Sequence, residues 1–277
     1  MRRFTLINKT GAAYDLNSRD SFFHDPEGLG FEDATSFIRI GSTYRPVREE
    51  LKQGEIRGSI FFPSPDAYRK YREFASFLRN KPLKLKYDTD GTYYIELRAV
   101  SLEKTELKFG GAGMDVPVKF LSCGLWYRNV HSRANWDSEG GKVYGYKYNY
   151  KYRDGGDGTL LIDSDSSEDS PCMLTVFGPC RNPRWSHYVD GEPYATGYYP
   201  GYVAANRKLI VDSTVIPFSI KEYTLDDRFM GDRYQDCDFS TERFIHLQAG
   251  RNRIKVIDED NNIIRTEAEG HLIYETV

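Results

Sequence analysis

Tyrosine recurs at every second position through Tyr144, Tyr146, Tyr148, Tyr150 and Tyr152, and a period of two is the period of a β-strand. A strand of this sequence puts five phenol rings on one face and Gly145, Lys147, Asn149 and Lys151 on the other, giving an aromatic face about 17 Å long. Each phenol hydroxyl needs a partner or water, so five in a row suit a half-wet contact better than a sealed core. These tyrosines are therefore candidate residues of a subunit or domain interface.

The rest of the second half follows the same period. Short apolar runs at 159–163, 173–177, 185–189, 208–212, 215–223, 244–247, 253–258 and 272–276 alternate with turn chemistry at Asp190-Gly191, Asn206-Arg207, Gly250-Arg251-Asn252 and Asp260-Asn261-Asn262. No helical pattern of comparable strength occurs there, and eight such strands predict a jelly-roll or galectin-like β-sandwich.

The first half contains the one clear helix. Ser64-Pro65-Asp66 supplies an N-cap, an N1 proline and a first-turn acid, and Ala67, Tyr71, Phe74, Ala75 and Leu78 form one apolar stripe before Asn80 and Pro82 stop it. Leu83, Leu85 and Tyr87, then Tyr93, Ile95 and Leu97, alternate around Asp90-Gly91, predicting a hairpin with a type I′ turn. Strands at 54–62 and 116–121 complete an α+β unit. The chain therefore reads as mainly β with one principal helix: an α+β amino-terminal domain over 1–131, then a galectin-like/jelly-roll β-sandwich over 132–277. The turn-rich segment 15–48 reads as an arm reaching a neighbour.

Lys and Arg number 38 against 41 Asp and Glu, for a net charge of −3. No global basic field exists to hold nucleic acid or an anionic membrane, so neither specific nucleic-acid binding nor membrane insertion is expected. No apolar stretch is long enough to span a bilayer and no signal-peptide pattern opens the chain, which predicts synthesis in the cytoplasm with Cys123, Cys172, Cys180 and Cys237 reduced.

Motifs for chemistry are wanting. Gly111-Ala112-Gly113 lacks a third glycine, and there is no P-loop, no G-x-S-x-G elbow and no H-E-x-x-H, while His24, His131, His187, His246 and His271 are scattered singly. The acidic loop 163–169 fails the calcium-loop pattern, with Glu168 in place of the required glycine and Leu174 in place of the bidentate acid. No catalytic residue, cofactor or metal site is assigned. Trp185 and His187 share a strand face near Asn182 and Arg184, a set able to stack on and hydrogen-bond a sugar. This supports a rival reading as a carbohydrate-binding module for cell-wall polysaccharide. A cell-wall glycosidase is a third reading, because paired carboxylates sit at no fixed spacing.

Several segments in order resemble the distal tail proteins of siphophages. They are Gly28-Leu29-Gly30-Phe31, the run from Gln53 through Ile56 and Ile60 to Phe62, and the helix with Tyr68, Tyr71, Phe74 and Leu78. Further on come Gly158-Thr159-Leu160-Leu161-Ile162, the run from Leu174 to Pro183, and Gly250 to Val256. The resemblance covers nearly the whole chain. It implies a structural virion protein in the phage tail, six copies of which form a ring joining the tail tube protein to the tail tip or baseplate used in host adsorption. The amino-terminal domain would make the ring, and the galectin-like domain would point outward. A ring needs two complementary patches per subunit, and the arm or the strand at 54–62, with Ile56 and Ile60, is the candidate for pairing with the next copy. The bore must let the genome slide, so the basic helix face of Arg69, Lys70 and Arg72 is expected to look away from it.

Overall fold

The computed structural model describes residues 2–134 and 158–277; the tyrosine run at 144–152 lies outside the described residues. The chain divides into two compact units, Met1–Arg128 with Tyr274–Val277, and Asn129–Ile273. The last four residues thus belong with the first unit, whereas a single cut at 131 assigns them to the second.

In the first unit, β1 (Arg3–Asn8), β2 (Ala13–Asp15), β3 (Phe22–Glu27), β4 (Asp33–Ile40), β5 (Thr43–Leu51) and β6 (Glu55–Pro63) precede α1 (Ala67–Leu78). After it come β7 (Leu83–Asp88), β8 (Thr92–Leu102), β9 (Leu107–Lys108), β10 (Gly113–Ser122) and β11 (Trp126–Ala134). The main sheet runs β2-β1-β7-β8-β10-β6-β3, antiparallel throughout. Its alternation follows the sequence: Leu83, Leu85 and Tyr87 turn inward and lie opposite Leu97, Ile95 and Tyr93. Phe4 on β1 stacks on Tyr87 at 4.5 Å and meets Phe23 on β3 edge-on at 5.3 Å, so the two ends of the sheet share one core.

Helix α1 buries Ala67, Phe74 and Leu78, with Phe74 against Phe62 at 5.8 Å and Tyr14 at 4.9 Å. Its cap differs from expectation. Asp66 holds the N-cap position without a side-chain cap bond, and its carboxylate meets Arg69 at 3.0 Å. The Ser64 hydroxyl instead donates to the Gly111 carbonyl at 2.6 Å, while the Ser64 N–H donates to Ala112. The 109–112 loop thus takes both polar groups of the residue that local chemistry assigns to the helix. The β7–β8 turn differs as well: Asp88 pairs with Thr92, leaving the three-residue loop 89–91. Asp88 accepts from Thr92 at 2.7 Å and from Lys86 at 2.9 Å, which closes the turn without the positive φ pair of a type I′ turn.

The second unit is the galectin-like β-sandwich. Its strands are β12 (Thr159–Ser164), β13 (Ser170–Phe177), β14 (Cys180–Arg181), β15 (Arg184–Val189), β16 (Glu192–Tyr198), β17 (Tyr202–Val203), β18 (Arg207–Asp212), β19 (Ser219–Thr224), β20 (Phe229–Asp232), β21 (His246–Leu247), β22 (Gly250–Ile257) and β23 (Thr266–Tyr274). One sheet runs β23-β13-β18-β19-β20 and the other β12-β22-β15-β16. Leu174, Val176, Leu209 and Val211 from the first, and Leu160, Ile162, Trp185, Ile254 and Val256 from the second, are buried. The turn signal at Asp190-Gly191 becomes a two-residue hairpin with φ of 51° and 95°, the pair a type I′ turn demands.

Two strand expectations fail. Residues 215–218 form a loop with Ile216 95% exposed, because β19 begins only at Ser219. β16, not foreseen, contains Pro193 and Gly197; it is the edge strand, where proline is tolerated. Gly197 is required there, since a Cβ would lie 2.0 Å from the Trp185 indole.

Candidate subunit interface

Among the described residues the strands β4 and β5 pair only with each other, from Asp33↔Leu51 to Ile40↔Thr43, with a register shift at Ser36/Phe37. Every residue in both strands is exposed except the half-buried Thr35. The hairpin is eight to nine residues long, about 27 Å, and it carries Phe37, Ile38, Ile40, Tyr44 and Val47 at 53–66% exposure. At its tip Gly41 takes φ of 61°, Arg39 donates to the Gly41 carbonyl at 2.9 Å, and Thr43 donates to the Ile40 carbonyl at 3.0 Å.

The hairpin base is built firmly. Lys52 N–H donates to the Glu32 carbonyl at 2.8 Å, and the Lys52 ammonium pairs with the Glu32 carboxylate. Gly28, with φ of 77°, lets the chain leave β3 against β6; a Cβ there would stand 1.9 Å from the Glu55 carbonyl oxygen. His24 donates or accepts at both ring nitrogens, to Asp25 at 2.8 Å and Asp115 at 2.9 Å, tying β3 to β10. Burial pulls its pKa down, the two carboxylates push it up, and the net shift is upward.

Of the alternatives for pairing with a neighbour, the strand at 54–62 is excluded. β6 has β10 on one edge and β3 on the other, so its hydrogen-bonding groups are engaged within the unit. Ile56 and Ile60 are 1% and 0% exposed and point into the core. They correct the interface assignment made from sequence: alternation identified their shared face, and that face is the inner one.

The sugar-contact set is corrected too. Trp185 and His187 do share a face, but both are 0% exposed. The Trp185 indole N–H donates to the Arg243 carbonyl at 2.7 Å, and His187 bonds Asn252 at 2.9 Å. Burial depresses the His187 pKa. Neither ring offers a platform to solvent, while Asn182 donates to Glu259 and Arg184 lies over Tyr198 at 5.2 Å. The carbohydrate-module reading thereby loses its stacking residues.

One cluster escaped sequence reasoning. His131, Glu267 and Glu269 bring a ring nitrogen and two carboxylates within 4.8 Å. Arg133 donates to the His131 ring at 3.2 Å and lies 3.3 Å from Glu267, so a guanidinium already serves the cluster's negative charge. Its members come from β11 and β23, 136 residues apart for His131 and Glu267, and no local spacing connects them.

Residues 3–123 match the family described as distal tail protein, N-terminal domain. The first unit therefore carries the amino-terminal domain of the distal tail proteins. Solved structures agree on the fold over the full length. A chain of the phage P2 baseplate in its activated conformation with Ca matches with a TM-score of 0.62 and 13% identity over 100% of both chains. The Dit (gp 19.1) protein of phage SPP1, described as a paradigm of hub adsorption apparatus in Gram-positive infecting phages, matches with a TM-score of 0.64 and 10% identity over 97% of this chain and 98% of its own. No curated protein sequence matches the chain.

Distal tail and baseplate hub proteins are components of the phage tail. In this chain the basic residues of α1 are partly satisfied at home. Arg69 meets Asp66 at 3.0 Å and Glu73 at 2.8 Å, and Lys70 meets Asp20 at 3.0 Å.

Proposed function

We propose that six copies of this chain form a ring hub joining the tail tube protein to the tail tip or baseplate used in host adsorption, with the 33–51 hairpin as the arm that grips the next copy. The observation that carries the reading is the hairpin itself. A lone two-stranded hairpin is marginally stable in water, and one that exposes six large apolar side chains and, among the described residues, two unpaired edges invites another chain to cover it. A rotational ring needs a projecting element on one side of each subunit and a receiving surface on the other, and this arm supplies the first. The match of residues 3–123 to the distal tail protein N-terminal domain supports the same role for the amino-terminal domain. The bore must pass the genome without gripping phosphate, so the Arg69, Lys70 and Arg72 face of α1 is assigned away from it, consistent with carboxylates already holding Arg69 and Lys70.

The test is native mass with and without the arm. Glu32 and Lys52 are already hydrogen-bonded at the hairpin base, so replacing 33–51 by a short glycine-serine turn leaves the rest of the first unit intact. The full chain, alone or mixed with its tail tube protein, is expected to give a closed hexamer by native mass spectrometry, and the trimmed chain to remain monomeric. A trimmed chain that still closes into the same assembly defeats the proposal.

A further inference from the structure

The strands β11 and β23 are neighbours in one sheet, and their outward positions form a polar ladder that the hub role does not use. On β23, Thr266, Ala268, Gly270 and Leu272 are buried, so Glu267, Glu269 and His271 look outward. On β11, Asn129, His131 and Arg133 are the exposed set. Asn129 meets His271 at 2.8 Å, His131 lies 3.8 Å from Glu269, and Arg133 lies 3.3 Å from Glu267. One imidazole and two carboxylates thus gather on the second and third rungs, with their ligand atoms within 4.8 Å of one another. The carboxylates are not used up by their neighbours. Arg265 donates to Glu267 Oε1 at 3.4 Å, and Arg133 approaches the same oxygen. Among the described residues Glu267 Oε2 accepts no hydrogen bond, and Glu269 accepts none through either oxygen. Arg133 Nε–H donates to His131 Nε2 at 3.2 Å; an arginine only donates, so Nε2 is the nitrogen that carries the lone pair. The guanidinium therefore stands where a cation is wanted, on a side chain that is 61% exposed and reorients at little cost. Beside it His131, Arg133, Glu269 and His271 line an open depression of about 510 Å³, which admits a hydrated ion.

We propose that His131, Glu267 and Glu269 bind a divalent transition-metal ion, with zinc the best fit, in exchange for the Arg133 guanidinium. One imidazole nitrogen with two carboxylate oxygens is a donor set that zinc accepts, at about 2.0–2.2 Å from each donor and with water in the fourth place. Tetrahedral donors at that radius stand about 3.4 Å apart. The present spread reaches 4.8 Å, a difference that rotation of the two glutamate side chains closes. Magnesium and calcium take six or more oxygens and gain little from an imidazole, so this set suits them less. Arg133 is the built-in competitor: about 5 Å from a divalent ion in water its charge costs roughly tenfold in affinity. A bound ion ties β11 to β23. All three ligands lie within the second unit, so the site is independent of the ring.

The experiment titrates the metal-free full chain with zinc chloride by calorimetry, and again with magnesium chloride at the same concentration. The native chain is expected to bind zinc, to melt at a higher temperature in its presence, and to give no binding heat with magnesium. His131→Ala and Glu269→Gln are each expected to weaken zinc binding at least about tenfold, since losing even a residue that merely hydrogen-bonds a metal ligand costs that much. Arg133→Gln is expected to strengthen it about tenfold. Cys123→Ser, which removes the exposed thiol as an alternative ligand, is expected to leave binding unchanged. The substituted side chains are exposed, and melting curves without metal check that each variant folds. No zinc binding by the native chain, binding unchanged in His131→Ala or Glu269→Gln, no gain in Arg133→Gln, or loss of binding in Cys123→Ser overturns the proposal.

Discussion

His24 fastens the strand that launches the arm, and its two carboxylate partners make that fastening depend on pH. Its folded pKa is raised, although burial alone would lower it. A group whose pKa rises on folding contributes stability that is complete below the ordinary imidazole value of about 6.5 and is lost as pH climbs through the folded value. Amide exchange in 22–32, corrected for intrinsic rate, is expected to be more protected at about pH 5.5 than at about pH 8.5, and His24→Gln is expected to remove the difference. Equal protection at both values in the native chain would contradict this. Glu222 has the opposite sign. Its side chain is 2% exposed; burial pushes its pKa up, but Arg233 at 2.6 Å and Arg207 at 3.0 Å outweigh burial and hold it low. Its contribution is present above the ordinary carboxylate range and lost as pH falls through the depressed value. Glu222→Gln, measured by denaturant unfolding near neutral pH, is expected to cost about 2 kcal/mol. Neither ion group was legible beforehand: the partners lie 91 residues apart for His24 and Asp115, and 15 and 11 apart for Glu222 with its arginines.

Among the elements, α1 was legible because its signal is local. Phe74 and Leu78 lie on one stripe at helical spacing, and docking of that stripe holds the helix. Phe74→Ala is expected to destabilise the first unit by about 3–4 kcal/mol, since the ring is fully buried against Phe62 and Tyr14. The cap was misread because Ser64 is claimed by the 109–112 loop, a partner 47 residues away. The 33–51 hairpin behaves in the reverse way. Phe37→Ser with Tyr44→Ser removes exposed side chains that touch little within the chain, so the melting temperature of the monomer should stay within about 0.5 kcal/mol equivalent of the parent. The same pair should reduce the hexamer population in native mass spectra if the arm grips a neighbour. A large loss of monomer stability would instead place these rings in the chain's own core.

For the molecule as a whole, thiol chemistry reports on the sandwich and the sheet together. Burial raises the Cys172 and Cys180 thiols to about 12 and the Cys237 thiol to about 11, while Cys123 is exposed. The native chain is expected to take one alkylating group at neutral pH and the denatured chain four; early labelling of a second cysteine would mean that the second unit opens more readily than its packing implies. The sequence by itself determined the grammar of both units: strands of period two, one amphipathic helix, and the turn at Asp190-Gly191, because each signal lies within a few residues. It also determined the absence of a net basic field and the ordered segments that resemble the distal tail family. Only the tertiary structure decided which of two faces is covered and which strand edges are free. Alternation groups Ile56 with Ile60 and Trp185 with His187, yet it cannot say that both pairs face inward while Phe37 and Tyr44 face water. Burial depends on what another part of the chain brings across the sheet, and that partner lies far away in sequence.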